Sequence, residues 1–347
     1  MADTLRVATY SPDLSRKGPG LLLRDIAKGD DPQIEAVADV IAAAAVDVIL
    51  LTGFDWDHDS AALTAFEARL AVRGAAYPHR FALRPNTGMA TGLDLNGNGR
   101  LGEARDAQGY GRFAGQKGMA ILSRLPIATD QARDFTSMLW RDLPGNLMAG
   151  AGLAPDAAAV QRLSTTGHWD VPLQLPDGSA LHLWAYAATP PVFDGPEDRN
   201  GRRNHDETAL WLRYLEGAFP PVPDAPFIIL GDANLDLIDG EGRAEALAAL
   251  VAHPLVQDPA PRSLGGPLAA AAQGGPNAGQ RGDAAHDTAD WPDSPGPGNM
   301  RADYILPAAS LTVTNSGVLW PTPDEPLAVA VQTASRHRLV WVDIALP

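Results

Sequence analysis

The sequence feature that most constrains the fold is a switch from alternating strands and helices to a chain made mainly of strands. Residues 5–10 (LRVATY) and 47–53 (DVILLTG) are apolar and rich in β-branched side chains, as is typical of buried strands. Residues 31–46 and 60–74 carry apolar side chains at helical spacing, and the first of these begins with an Asp-Pro helix start. Strand patterns dominate the rest of the chain, with two further helices among them. This mixture predicts an α/β sandwich, in which two packed sheets have helices outside them.

Two long segments rich in Gly and Pro interrupt this pattern near residues 86–114 and 259–299. Loops of this length inside a compact domain are usually functional or ordered by a metal. The chain has 347 residues, of which 45% are hydrophobic, and this size suits one large domain. We therefore expect a single domain over residues 1–347, with the two segments as loop insertions.

The net charge limits the kind of partner. The formal net charge is -15 at pH 7 and the sequence pI is about 4.8. An acidic surface repels polyanions, so binding of long nucleic acid is not expected. A small phosphorylated substrate or another anion remains compatible with this charge if the site supplies its own cations. No stretch approaches the ~20 consecutive apolar residues of a membrane span, and the sequence does not indicate the oligomeric state.

Two features bear on the cellular compartment. The chain has no cysteine, so neither a disulfide framework nor thiol chemistry is available. Residues 1–3 run almost directly into the first strand, as expected of a secreted or periplasmic chain whose signal peptide has been removed. A cytoplasmic chain with a short tail accounts for the same start equally well, so both locations stay open.

Seven short segments occur in one order, and together they resemble the endonuclease/exonuclease/phosphatase superfamily with its deoxyribonuclease I-like fold. The most specific of them, TPPVFDGPEDRNGRRNHDE, is the mark of a bacterial and usually secreted branch. The resemblance covers nearly the whole chain and implies a four-layer α/β/β/α sandwich of two packed, mainly antiparallel sheets. The segments are LRVATYS, DVILLTGFD, GQKGMAILSRLPI, ATPPVFDGPEDRNGRRNHDE, FIILGDANLD, RADYILP and SRHRLVWVD.

Four positions that are catalytic in the family are present here. Asp232 and Asn234, in GDAN, match an Asp-x-Asn pair in which the Asp supports or activates the attacking water and the Asn helps to hold the phosphate. His337 matches the terminal histidine, the general base of the family, and Asp303 matches the aspartate that pairs with it. The resemblance therefore implies a hydrolytic site built from these four side chains.

Four other positions depart from the family pattern. Ser11 stands where the family has an Asn after the first strand, and Gly53 stands at its metal-binding Glu. Ala187 replaces a histidine, and Arg336 replaces the Asp before the terminal histidine. Mg²⁺ requires hard oxygen ligands, and neither Gly53 nor Arg336 offers one from its side chain. We therefore expect the usual metal site to be dismantled, so that Mg²⁺ or Mn²⁺ in the active site is doubtful.

Arg336 suggests one way in which the lost cation could be replaced. A guanidinium donates up to five hydrogen bonds and stays charged at any ordinary pH. One hypothesis is that Arg336 binds the anionic group that a metal would otherwise clamp. The alternative is a surface residue in a decayed site, and the sequence supports both about equally.

Further substrate-binding groups are expected in residues 194–205, of which residues 194–201 are predicted to form a turn-rich loop over the mouth of the site. Arg199 and Asn204 are the candidates there, together with the hydroxyl of Ser11 after the first strand. Asn204 is also predicted to be the N-cap of the following helix. For the arginine, the alternative is a salt bridge to neighbouring acidic residues, because most ion pairs are structural.

Residues 94–106 (DLNGNGRLGEARD) open with the Asp-x-Asn-x-Asn-Gly pattern of a calcium-binding loop. The twelfth position is Arg105, which cannot be a ligand, so Glu103 or Asp106 would have to close the coordination shell. Calcium here would order a long loop and would not do chemistry. The alternative is an Asn-Gly turn pair that needs no ion. The expected ligands are Asp94, Asn96, Asn98, the backbone carbonyl of Arg100, and Asp106.

Three functions are compatible with these residues. The leading hypothesis is a phosphoesterase that hydrolyses a phosphate mono- or diester with atypical metal use. The second is a catalytically degenerate protein that keeps the fold and binds an anion or another ligand. An active nuclease ranks last, because of the acidic charge and the missing ligands.

Overall fold

A computed structural model gives the fold and describes residues 4–220 and 222–346. In these residues the helices are α1 (Leu21–Lys28), α2 (Pro32–Ala44), α3 (Ala61–Val72), α4 (Pro155–Val160), α5 (Arg199–Leu215), α6 (Glu245–Val251), α7 (Gly265–Gln273) and α8 (Ala328–Ala334). The strands are β1 (Thr4–Tyr10), β2 (Val48–Phe54), β3 (His79–Phe81), β4 (Gly118–Ser123), β5 (Arg133–Asp134), β6 (His168–Gln174), β7 (Ala180–Ala187), β8 (Phe227–Asp232), β9 (Ala289–Asp290), β10 (Asn299–Met300), β11 (Asp303–Pro307), β12 (Val313–Leu319) and β13 (Leu339–Ala345).

The strands form two large sheets and one small ribbon. The first sheet has the order β12-β13-β1-β2-β4-β3, and the second has the order β11-β8-β7-β6-β5. Strands β9 and β10 pair as a separate two-stranded ribbon. Only the β1–β2 and β7–β8 neighbours within the two large sheets are parallel, and the other pairs are antiparallel. The expectation of two mainly antiparallel sheets is confirmed.

The two large sheets pack face to face, because alternate residues of each strand point to opposite faces. Leu50 of β2 and Leu183 of β7 lie in one buried cluster between the sheets. Their neighbours point outward: Ile49 packs with α2 and α8, and Trp184 packs with α5 and α6. Helices therefore cover the outer face of each sheet, which gives the four layers that the resemblance implies.

The structure corrects some of the expected boundaries. Helix α5 begins at Arg199 with Asp198 at its N-cap position, so the prediction that Asn204 caps this helix is wrong. Asp198 has a left-handed φ of 52°, which turns the chain into the helix earlier than the Gly- and Pro-rich sequence indicated. The segment expected as a loop at residues 259–299 contains helix α7 and part of the β9–β10 ribbon.

The two sheets end at a common edge, and this arrangement places the candidate site. The last residues of β7 and β8 lie side by side, since Ala187 pairs with Asp232. The start of antiparallel β11 lies at the same level, since Asp303 also pairs with Asp232.

Among residues 4–220 and 222–346, no helix has both the length and the apolar character needed to cross a membrane.

The core between the sheets gives a first test of this architecture. Leu230 of β8 is fully buried there, so Leu230→Ala should lower the free energy of unfolding by about 2–5 kcal/mol through lost burial and a cavity. Val72→Ala is the matched control, because Val72 is 85% exposed and such surface changes usually stay within about 0.5 kcal/mol. Urea unfolding followed by circular dichroism measures both. Equal midpoints for the two variants would contradict the packing described.

Candidate active site

The centre of the site is a pair of aspartates held opposite each other by strand pairing. Asp232 is the last residue of β8, and Asp303 is the first residue of β11. Both are buried, with 7% and 0% of their surfaces exposed. Because the two strands are antiparallel with these residues in register, two carboxyl groups are brought to one point at the sheet edge.

His337 joins this pair from the segment that leads into β13. Its Nδ1–H donates to Asp303 Oδ2 at 2.8 Å, and Thr288 Oγ1 donates to the same oxygen at 2.9 Å. The backbone N–H of His337 donates to Ser335 Oγ at 3.0 Å, and this hydroxyl donates to the carbonyl of Ser11 at 2.6 Å. The imidazole is thus fixed both by its ring and by its backbone.

The charges of this cluster influence one another strongly. Burial disfavours the charged form of His337, but the carboxylates of Asp303 and Asp232 outweigh this effect and raise its pKa to about 9. Burial also raises the pKa of Asp232, against the influence of the His337 charge. Asp303 Oδ1 is buried without a hydrogen-bond partner among the described residues. At neutral pH the cluster is therefore held together by a proton on the imidazole.

Asn234 encloses the Asp232 carboxylate. Its backbone N–H donates to Asp232 Oδ1 at 2.9 Å, and its Nδ2 lies 3.2 Å from Asp232 Oδ2. Nδ2 also donates to the carbonyl of Ala188 at 3.1 Å. These bonds accompany a left-handed φ of 52° at Asn234, a conformation that Asn tolerates better than most residues. The four side chains expected to be catalytic therefore lie together.

Two site neighbours were missed in the sequence. Thr288, which bonds Asp303, and Trp291, whose ring meets the His337 ring edge-to-face at 5.6 Å, both come from the long segment near residues 259–299. Strand β9 lies between them, and its Ala289 forms a β-bridge with His337. No motif marks either residue, and only the length of the segment pointed to a functional role.

The four substituted positions surround the same edge. Gly53 has a φ of 67° at a register shift in β2, and a Cβ there would lie 3.6 Å from Ser11 Oγ. Ala187 lies beside Asp232 and brings no polar atom. Arg336 is exposed, and within residues 4–220 and 222–346 its guanidinium has no hydrogen bond or ion pair, although its carbonyl accepts from the Asp290 N–H at 2.9 Å.

Arg199 and Asn204 are placed for structural roles. Arg199 donates to the carbonyls of Ala151 at 3.1 Å and Leu95 at 3.1 Å, which ties the start of α5 to two loops. Asn204 is fully buried, and its Nδ2 donates to the carbonyls of Thr189 at 2.7 Å and Ala233 at 2.8 Å. Asn204 cannot touch a substrate directly. It braces the chain on both sides of the site instead, because β7 and β8 end just before these carbonyls.

In the loop at residues 94–106, backbone N–H groups donate hydrogen bonds to side-chain oxygens of the same loop. Asp94 accepts from the backbone N–H groups of Gly97, Asn98 and Gly99 at 2.8, 3.2 and 2.7 Å. Asn96 Oδ1 accepts from the Asn98 N–H, and Asn98 Oδ1 accepts from the Arg100 N–H. Asp106 is buried, and both of its oxygens accept backbone N–H groups, from Leu95 and Glu103.

The donor atoms at the site can be tested against the divalent ion that the resemblance implies. In the described part of the chain, one group of acidic and histidine side chains has ligand atoms within 4.8 Å of one another, and it is Asp232, Asp303 and His337. His337 Nδ1 is committed to Asp303 Oδ2, and this oxygen already accepts a second hydrogen bond, from Thr288. Gly53 adds no donor at all. These residues do not fit a divalent ion.

Solved structures of the same fold are found across several organisms. A Beutenbergia cavernae endonuclease/exonuclease/phosphatase has 17% identity and a TM-score of 0.56, with 99% of this chain and 72% of that chain covered. The mannosyl-6-phosphatase Bt3783 of Bacteroides thetaiotaomicron has 14% identity and a TM-score of 0.52, covering 99% and 100% of the two chains. Truncated TDP2 of Caenorhabditis elegans has 12% identity and a TM-score of 0.50, covering 99% and 98%. At these identities the likeness shows the fold alone.

The family assignment comes from the sequence itself. No curated protein matches the chain significantly. The family profile described as "Endonuclease/Exonuclease/phosphatase family" matches residues 22–337, a span that runs from α1 to the candidate base. The chain belongs to the endonuclease/exonuclease/phosphatase family.

Proposed function

We propose that this protein is a phosphoesterase that hydrolyses a phosphate mono- or diester of a small molecule. The observation that carries the proposal is the Asp303–His337 hydrogen bond, 2.8 Å long, beside the Asp232–Asn234 pair at one sheet edge. Members of this family generally hydrolyse phosphate esters with the help of divalent metal ions. In this protein we assign the activation of the attacking water to side chains of the chain and not to a divalent ion.

The geometry supports a simple division of roles. Asp303 accepts the Nδ1–H of His337, which orients the ring and leaves Nε2 for a water molecule. The neutral imidazole takes a proton from this water as the water oxygen attacks phosphorus. The bond from phosphorus to the leaving oxygen then breaks, that oxygen takes a proton from solvent, and the imidazolium returns its own proton to solvent. Asn234 Nδ2 would donate to a phosphoryl oxygen by giving up its 3.2 Å contact with Asp232 Oδ2.

Charge supports a small substrate over a long one. The net charge of -15 repels a polyanion from most of the surface, whereas His337 places a positive charge at the site itself. The Bacteroides thetaiotaomicron neighbour is described as a mannosyl-6-phosphatase, and we take phosphate monoesters as one class to test here. A non-catalytic anion-binding protein is the rival, and the missing donors at Gly53 and Ala187 favour it.

The rival functions are separated by a hydrolysis assay. We expect turnover of p-nitrophenyl phosphate or bis-p-nitrophenyl phosphate, and a loss of about 10²–10⁴-fold in His337→Ala, since a general base contributes about this much. His58→Ala is the matched control, because His58 forms a similar ion pair with Asp59 at 3.1 Å but is 88% exposed. Equal rates in the two variants, or no turnover by the parent protein, would favour the anion-binding protein.

The raised pKa of His337 sets the expected pH dependence. A base must lose its own proton before it can accept another, so kcat/KM should increase with pH until about pH 9. Asp303→Asn removes a negative charge that raises this pKa, so the rising limb should move to lower pH while the rate falls. Asp59→Asn, at the surface pair, should leave the limb in place. A limb that stays unchanged in Asp303→Asn would rule out His337 as the titrating base.

Arg336 is tested by anion binding. An exposed guanidinium without partners in the described chain can turn toward a bound anion, so Arg336→Ala should weaken the binding of inorganic phosphate about tenfold, the effect of one charge-assisted hydrogen bond. Titration calorimetry in a chelator measures this affinity. Arg141→Ala is the control, since Arg141 is about half exposed and pairs with Asp142. Unchanged affinity in Arg336→Ala would place this residue outside the site.

We also propose that the loop at residues 94–106 binds calcium. The support is the Asp-x-Asn-x-Asn-Gly pattern, together with the hydrogen bonds that lower the pKa of Asp94, the largest contribution coming from the Gly99 N–H. Adding Ca²⁺ at about 1 mM to chelator-treated protein should raise Tm by several degrees, because an ion that binds only the folded state stabilises that state. Mg²⁺ should do less, and Asp94→Ala should abolish the effect. A Tm that Ca²⁺ does not change would mean a turn that needs no ion.

A further inference from the structure

The rim of the first sheet carries a cation that the sequence did not single out. Lys117 immediately precedes β4, whose first residue, Gly118, pairs with Phe54 at the end of β2. Lys117 therefore lies next to Gly53, the position at which the family resemblance implies a metal-binding carboxylate. Its ammonium is 2.9 Å from Asp13 Oδ1, in the loop that follows β1.

A buried carboxylate fixes the backbone at Lys117 and at Arg16, three residues after Asp13. Asp55 is 7% exposed, and its two oxygens accept the backbone N–H groups of Lys117 at 3.0 Å and Arg16 at 2.8 Å. Asp13 and Lys117 both have a left-handed φ of 50°. Such conformations are unfavourable for non-glycine residues and persist only where the surroundings impose them. The backbone on both sides of the pair is thus fixed by one side chain.

The ion pair lies within electrostatic reach of the catalytic cluster. The charge of Lys117 lowers the pKa of Asp232, although burial has the larger and opposite effect. The charge of Asp13 is among those that raise the pKa of His337. Gly53 lies beside Asp13, because a Cβ built on Gly53 would be 3.6 Å from the Asp13 backbone and 3.6 Å from Ser11 Oγ. The Lys117–Asp13 pair therefore lies near Gly53, where the first sheet lacks the acidic side chain that the family resemblance implies.

We propose that Lys117 binds a phosphoryl oxygen of the substrate, so that its ammonium takes the place of a divalent ion, and that Asp13 holds it ready. The inference rests on the proposed function, and it names the group that binds the phosphate. An ammonium offers three donors and a compact charge, which suits a tetrahedral anion. The side chains of Lys117 and Asp13 are 53% and 60% exposed. An exposed ion pair contributes little to stability, so a phosphate can displace Asp13 at little cost.

Lys117 is better placed for this role than Arg336. Its backbone N–H is fixed by Asp55 and its ammonium by Asp13, so less side-chain freedom is lost when an anion binds. The Arg336 guanidinium, by contrast, is exposed and has no partner among residues 4–220 and 222–346. The two cations therefore make separable contributions, and variants of each report on different contacts.

The test is phosphate binding by chelator-treated, full-length protein. Inorganic phosphate should bind without any divalent ion, and Lys117→Met should weaken binding at least tenfold in titration calorimetry. Lys117→Arg should keep most of the affinity, and Asp13→Asn should keep or increase it, because the ammonium then has no competing partner. Lys28→Met is the matched control, since Lys28 forms an exposed pair with Asp30 at 3.0 Å on another part of the surface.

Two results would overturn the inference, and they differ from a failure of the proposed function. Phosphate binding that requires Mg²⁺, or an affinity that Lys117→Met does not change, excludes the ammonium from the site. Hydrolysis could still be observed in that case, and the proposed function would stand without this inference. Metal-independent phosphate binding that is lost in Lys117→Met, without any turnover, would support the inference and refute the phosphoesterase. Circular dichroism confirms that each variant is folded.

Discussion

The packing of the two sheets against each other is the constraint on which the site depends. One buried layer of side chains, including Leu50, Leu183 and Leu230, sets the sheets face to face and aligns their ends. Only because these ends coincide can a histidine that leads into the first sheet reach an aspartate of the second, to give the His337–Asp303 contact of 2.8 Å. The same packing brings Lys117, at the end of the first sheet, close enough for its charge to lower the pKa of Asp232. The Asp232, Asp303 and His337 cluster is thus a property of the interface between the sheets.

Part of this arrangement could be predicted from the sequence, for identifiable reasons. Strands and helices such as β2 and α2 are encoded by local periodicity, so their positions are visible in a short window. The start of α5 was misplaced because Asp198 and its Gly- and Pro-rich surroundings resemble a turn, while contacts from distant segments hold Arg199 in the helix. The Lys117–Asp13 pair joins two loops that are far apart in the chain. No pattern within a short stretch of sequence predicts such a contact.

The site combines features of an enzyme and of a binding protein in different halves. The half on the second sheet keeps two carboxylates, an amide and, from the β13 side, an oriented imidazole. In the half on the first sheet, Gly53 has no side chain at the position where the family resemblance implies a metal-binding carboxylate. An ammonium, that of Lys117, lies nearby instead. Lys117 and His337 place two positive charges among the carboxylates of this edge, although the chain as a whole is strongly negative. The charges at the site, more than the net charge of the chain, determine which ligands it can bind.

The position of β1 has a consequence for how the chain is made. β1 lies in the middle of the first sheet, between β2 and β13, and its residues 4–9 pair with residues 340–345. Strand β1 is therefore synthesised long before the strand that covers its second edge, and such distant pairings make folding slow. His337 arrives with that late strand. A nascent chain thus carries Asp232, Asn234 and Asp303 before it carries His337, and the four side chains meet only when the sheet closes.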